Sequence, residues 1–133
     1  VDAGDSPTNS LTTGAQGTPL MNGRNISKIW IPTLTLDTFA TDVSLKPDLI
    51  KIDVEGAELL VLRGARTILS DYSPTIILAV HPNWLPKGHS TQKLFELLAS
   101  YGYALYNSEE RLVEYLQKGE YLCLSKLSRA IAS

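Results

Sequence analysis

Apolar and polar positions along the chain follow a strand-like pattern in some segments and a helix-like pattern in others, from residue 29 onward. Short apolar, β-branched runs predict strands at 29–36, 49–54, 75–80, 103–106 and 120–125. Apolar residues at helical spacing predict helices at about 37–43, 56–70, 90–101 and 109–118. This order predicts an α/β, Rossmann-like fold, with a mainly parallel sheet and helices on both faces.

The ends of these segments carry local signals of their own. The run Leu49–Val54 ends in Glu-Gly and gives way to a helical period, which is typical of a strand that leads into a helix. Ser90 can cap the most regular helix, and Gly102 can end it. Asp37 or Thr38 can cap the short helix after the first strand.

Composition limits the classes of function. The chain has 133 residues and a net charge of -2 without a Lys/Arg run, which predicts one domain and no nucleic-acid partner. The longest apolar run, Ile76–Val80, is far shorter than the roughly 20 residues of a membrane span. The chain does not open with a secretory signal, and its single Cys123 excludes an internal disulfide, so we predict a cytoplasmic protein outside the membrane.

The chain divides into two parts. Residues 1–27 hold four of the nine glycines and no regular apolar period, which predicts a loop-rich segment that is either mobile or made of weak strands. Residues 28–133 carry the α/β pattern.

Polar side chains follow two predicted strands where a parallel sheet usually binds its ligand. Asp53 and Glu55 lie at the end of one strand, and His81 directly follows the next. One helix joins these strands, so we expect them to be neighbours whose ends face one crevice. The carboxylates can act as a general base or anchor a ligand. The structural alternative is an ion pair of either one with Lys51, or a Glu55 that is simply stabilised by the helix dipole. Glu58, in the first helical turn, is explained by the helix dipole alone.

His81 is the candidate for proton transfer, because a neutral imidazole can accept a proton from a hydroxyl near pH 7. The structural alternative is a hydrogen-bonded histidine at a strand end. Two histidines and one cysteine without ligand spacing give no metal site.

Four segments together resemble the FkbM-type methyltransferases. They are Ile31-Pro-Thr-Leu-Thr-Leu-Asp37, Pro47-Asp-Leu-Ile-Lys-Ile-Asp-Val-Glu-Gly-Ala-Glu58, Leu62-Arg-Gly-Ala65 and Pro74-Thr-Ile-Ile-Leu-Ala-Val-His-Pro82. The resemblance covers about residues 29 to 107. It implies the C-terminal half of a class I methyltransferase sheet, with residues 48–54 as its fourth strand. It also implies methyl transfer from S-adenosylmethionine to a hydroxyl of a sugar or secondary metabolite.

The chain departs from that family at two places. Ala79 stands where the family commonly has Glu. No Gly-rich cofactor-binding turn is recognisable before residue 29, so the resemblance implies a truncated or partner-completed member, and its cofactor-binding residues are not identified. The strand at 49–54 would then be a sheet edge, which predicts that it pairs with another copy, with a complementing fragment or with the chain's own segment 1–35; a homo-oligomer or a complementing fragment is the expected partner. A small-molecule acceptor fits the enzyme; a non-catalytic assembly or dimerisation module is the alternative.

Overall fold

The computed structural model describes residues 32–125. Helix α1 spans Leu36–Asp42, strand β1 Leu49–Ile52, helix α2 Glu58–Arg63, strand β2 Thr75–Val80, helix α3 Thr91–Ser100, strand β3 Tyr103–Tyr106, strand β4 Leu112–Val113 and strand β5 Gly119–Ser125. A π-helical turn, Ile68–Tyr72, precedes β2, and a 3-10 turn, Pro82–Trp84, follows it.

The five strands form one mixed sheet in the order β1-β2-β5-β3-β4. Within residues 32–125 only β1 and β2 pair in parallel, whereas β5 is antiparallel to both β2 and β3, and β4 is antiparallel to β3. The prediction of a mainly parallel sheet is therefore wrong. A parallel pairing needs a crossover connection of about a dozen residues or more. The connection from β3 to β4 is a short hairpin, so the chain returns in the opposite direction.

All three helices contribute to a core on one face of the sheet. Ala40 of α1, Leu62 of α2 and Leu98 of α3 are buried in the same cluster as Ile76 and Leu78 of β2. The opposite face of the sheet contributes no side chain to this cluster. Among residues 32–125 the helices therefore cover one face, and the prediction of helices on both faces is wrong for this part of the chain. The open face carries Lys51, Ile77, Leu122, Tyr106 and Leu112.

Several element predictions are confirmed. Strands occur at 75–80 and 103–106, and the last one begins one residue earlier than predicted. The Ser90 hydroxyl accepts a hydrogen bond from the amide of Lys93 and caps α3, and Gly102 follows that helix with a φ of 78°. Of the strand predicted at 29–36, residues 29–31 lie outside the described residues, and 32–35 form no strand. The cap of α1 is Thr35, rather than Asp37 or Thr38.

The helix predicted at 56–70 is interrupted at Gly64. A side chain at Gly64 would lie 3.2 Å from the Cβ of Thr35, so the start of α1 packs directly against this point. The amide of Asp37 donates to the Gly64 carbonyl, and its carboxylate accepts from the amides of Thr67 and Ile68. Asp37 thus caps the second helical segment, and a contact 30 residues apart in sequence divides the predicted helix.

The helix predicted at 109–118 is also wrong. The Asn107 carboxamide oxygen accepts hydrogen bonds from the amides of Glu109 and Arg111, and Glu110 has a φ of 59°. These bonds form a tight turn, because a short polar side chain competes with helical hydrogen bonding. The turn carries the chain into β4 beside β3.

Candidate functional site

The candidate site lies where β1 and β2 end side by side. Their parallel register pairs Lys51 with Ile77 and Ile52 with Leu78, so Asp53 and His81 emerge at the same end of the sheet. The prediction that the two strands are neighbours is confirmed. Residues at the carboxyl ends of adjacent parallel strands commonly line ligand sites.

A tight backbone reversal joins β1 to α2. Glu55 has a φ of 46° and Gly56 a φ of 103°, so both residues adopt the left-handed region. Only glycine populates that region freely, and a non-glycine residue there is strained. The alternation of side chains along β1 therefore ends at Asp53. Glu55 does not lie on the same face of the sheet as Lys51 and Asp53.

Gly56 allows two backbone segments to approach each other. A Cβ at Gly56 would lie 2.1 Å from the carbonyl oxygen of Trp84. The amide of Trp84 in turn donates to the carbonyl of His81, at 3.0 Å. The space beside Gly56 is therefore filled by the turn that follows β2. This contact holds the backbone after His81 against the turn after β1.

A fully buried carboxylate lies beneath this turn. The side chain of Glu58 has no exposed surface. Its Oε1 accepts a hydrogen bond from the Gly56 amide and shares another with Nδ1 of His81, both at 3.0 Å. If the carboxylate is ionised it can only accept, and Nδ1 of His81 is then the atom that carries the hydrogen. Oε2 of Glu58 is buried without a hydrogen-bond partner. The helix dipole alone does not explain this residue, and the dipole interpretation is insufficient.

Asp53 lies on the other side of the imidazole. Its Oδ1 is 3.8 Å from Nε2 of His81, and its Oδ2 is 3.8 Å from Nζ of Lys51. The side chains of Asp53 and Lys51 are 44% and 61% exposed. Because both ends of the Lys51–Asp53 pair are solvated, the pair is a weak surface contact. Neither charge is buried, so neither side chain loses its hydration on folding.

Glu55 lies within the turn itself. Its side chain is half-buried, and Oε2 has no hydrogen-bond partner although it is shielded from solvent. A buried acceptor without a donor is uncommon in folded proteins and is a reason to look for a ligand donor. Glu55 is thus adjacent to the site by chain position, and no hydrogen bond ties it to His81.

The site therefore consists of one imidazole between two carboxylates. The structure brings the predicted residues Asp53 and His81 together and adds Glu58, which sequence reasoning had set aside. Such an arrangement can accept a proton at Nε2 and stabilise the resulting imidazolium. Among residues 32–125, no three or more His, Cys, Asp or Glu side chains are arranged so that they could hold a metal ion. No helix in the same range combines the length and the apolar content of a membrane span.

Comparison with protein families gives one match. The model described as the Methyltransferase FkbM domain matches residues 3–105, well over half of the chain. The match starts upstream of residue 29, within the segment that the sequence analysis set apart as residues 1–27. Searches of curated proteins and of solved structures found no significant match.

Proposed function

Because the chain belongs to the FkbM methyltransferase family, we propose that it acts in S-adenosylmethionine-dependent methylation of a hydroxyl group on a sugar or secondary metabolite. The observation that carries this proposal is the His81 imidazole, held between the carboxylates of Glu58 and Asp53 at the ends of two parallel strands. Methylation of a hydroxyl needs a group that removes its proton, and a neutral imidazole suits that role.

The residues at the ends of β1 and β2 carry negative charge, which suits the positive charge of the proposed cofactor. When bound, S-adenosylmethionine supplies a methyl group on a cationic sulfonium. The Asp53 carboxylate and the buried, unpartnered Oε2 of Glu55 offer negative charge and an unused acceptor for its ammonium or hydroxyl groups. We assign Asp53 and Glu55 to positioning the cofactor or the acceptor.

The chain's own residues align the acceptor and move its proton. His81 takes the proton of the acceptor hydroxyl at Nε2 as the oxygen forms its bond to carbon and the bond from carbon to sulfur breaks. Orientation of the two reactants accounts for much of the barrier reduction in such a displacement. The ends of β1 and β2 carry no Gly-rich turn, so the proposal requires that other residues or a partner complete the cofactor site.

Calorimetric titration with S-adenosylhomocysteine tests this proposal. We expect binding to the native chain and at least a severalfold weaker affinity in Asp53→Asn. Glu109→Gln is the matched control, because it also removes one exposed carboxylate, whose ion-pair partner is Arg111 rather than a residue of the site. Absence of heat at millimolar ligand would refute cofactor binding by this chain.

A second function, assembly through the uncovered part of the sheet, is favoured by a separate observation. Strand β1 is an edge of the described sheet, and the open face exposes Leu49 by 57%, Leu112 by 61% and Leu122 by 40%. Unpaired strand edges and exposed apolar patches are typical of interaction surfaces. We propose that a second copy packs here.

Light scattering coupled to size-exclusion chromatography tests the assembly. We expect a dimer that Leu49→Lys converts to a monomer, whereas Leu60→Lys does not, because Leu60 is similarly exposed but lies on α2. A native chain that stays monomeric at high micromolar concentration would refute a homodimer.

A further inference from the structure

The burial of the Glu58 carboxylate is not explained by a gain in folding stability. A carboxylate with no exposed surface loses its hydration, and this loss is offset only when the charge is fully paired. Glu58 has two hydrogen bonds, both to Oε1, while Oε2 has none. A neutral side chain of the same shape would avoid the desolvation of the charge.

Both donors to Glu58 belong to the site. One is the amide of Gly56, in the turn that packs against Trp84, and the other is Nδ1 of His81. The contact with His81 spans 23 residues of sequence and connects the start of α2 to the end of β2. The buried carboxylate is thus directed at His81, the side chain to which the proposed proton transfer is assigned.

From this geometry we infer that Glu58 is the positioning residue for His81. Its carboxylate holds the imidazole in the tautomer with hydrogen on Nδ1, so that Nε2 is unprotonated and directed to the side of Asp53. This inference rests on the proposed function for its catalytic meaning, since the proton that Nε2 accepts is that of the acceptor hydroxyl. The positive charge that then forms on the ring lies between Glu58 and Asp53.

Nitrogen-15 NMR of the imidazole rings tests the tautomer directly. Spectra are recorded in a buffer alkaline enough to keep the rings neutral, and His89→Gln identifies the signals of the only other histidine. We expect His81 to be protonated at Nδ1 alone. A mixture of tautomers, or hydrogen on Nε2, would overturn the inference.

Two variants separate positioning from packing. Glu58→Leu removes the acceptor, so His81 should populate both tautomers, provided that the variant folds. Glu58→Gln keeps a carbonyl oxygen for the Gly56 amide and for Nδ1 and should fold, but it removes the negative charge. Under the same alkaline conditions, carbethoxylation of His81 Nε2 by diethyl pyrocarbonate should be several times slower in Glu58→Gln than in the native chain.

The carbethoxylation rate of His89, followed by mass spectrometry in the same sample, should be equal in the native chain and in Glu58→Gln. Equal rates at His81 in the two proteins would refute the role of the buried charge. None of these readouts requires a cofactor or an acceptor. If calorimetry shows no cofactor binding while the tautomer is as expected, the proposed function fails and the positioning of His81 stands.

Discussion

Replacement of Gly56 by alanine should destabilise the fold and displace the candidate site together. The added Cβ would lie 2.1 Å from the Trp84 carbonyl oxygen and 2.6 Å from its carbon. These are backbone atoms, so neither can rotate away as the end of a long side chain could. The turn after β2 must move, and with it His81, whose carbonyl accepts the Trp84 amide.

The magnitude has two parts. A non-glycine residue at a φ of 103° costs on the order of 1–3 kcal/mol in conformational strain. Forcing a methyl group into a filled space costs about 1–3 kcal/mol more, because the surrounding backbone must shift. We therefore expect Gly56→Ala to lower the free energy of unfolding by roughly 2–6 kcal/mol, the sum of these two ranges.

Urea denaturation of matched variants separates the two parts. Gly88 also has a positive φ, of 83°, but a Cβ there would meet nothing within 4 Å. Gly88→Ala should therefore show the strain alone, and the difference between the two variants measures the contact with Trp84. Equal losses in both variants would show that the close approach of the two turns does not exist.

Three further predictions follow from single contacts. Asp37→Ala should lower the free energy of unfolding by about 1–2 kcal/mol in urea denaturation, because two helical amides lose their acceptor, whereas Asp37→Asn should lose less. Burial raises the pKa of the Cys123 thiol from 9.0 to about 12, so its contribution to stability is complete below pH 9 and is lost as the pH rises toward 12. The alkaline decline of the urea midpoint should thus be shallower in Cys123→Ala, with Tyr103, whose pKa burial also raises, accounting for the part that persists. Lys51→Ala should change stability by less than about 1 kcal/mol in the same assay, since its ion pair is solvated.

Sequence patterns identified the elements whose structure depends on local periodicity. The apolar run at 75–80 and the helix between Ser90 and Gly102 are present as predicted, because burial of one face or of a whole strand leaves a regular trace in the sequence. The direction of a strand leaves no such trace. The run at 119–125 has the same apolar character in either direction, and its antiparallel pairing with both β2 and β3 is visible only in the fold.

The candidate site shows the same division between local and distant causes. Asp53 and His81 could be predicted because both follow strands, and the ends of neighbouring parallel strands meet. Glu58 could not, since a glutamate in the first turn of a helix is stabilised by the helix dipole in any protein, whether it is exposed or buried. What makes this glutamate different is the reversal at Glu55 and Gly56, which turns its carboxylate inward toward a histidine 23 residues away. The pairing of a buried carboxylate with a histidine so distant in sequence can be recognised only from the folded structure.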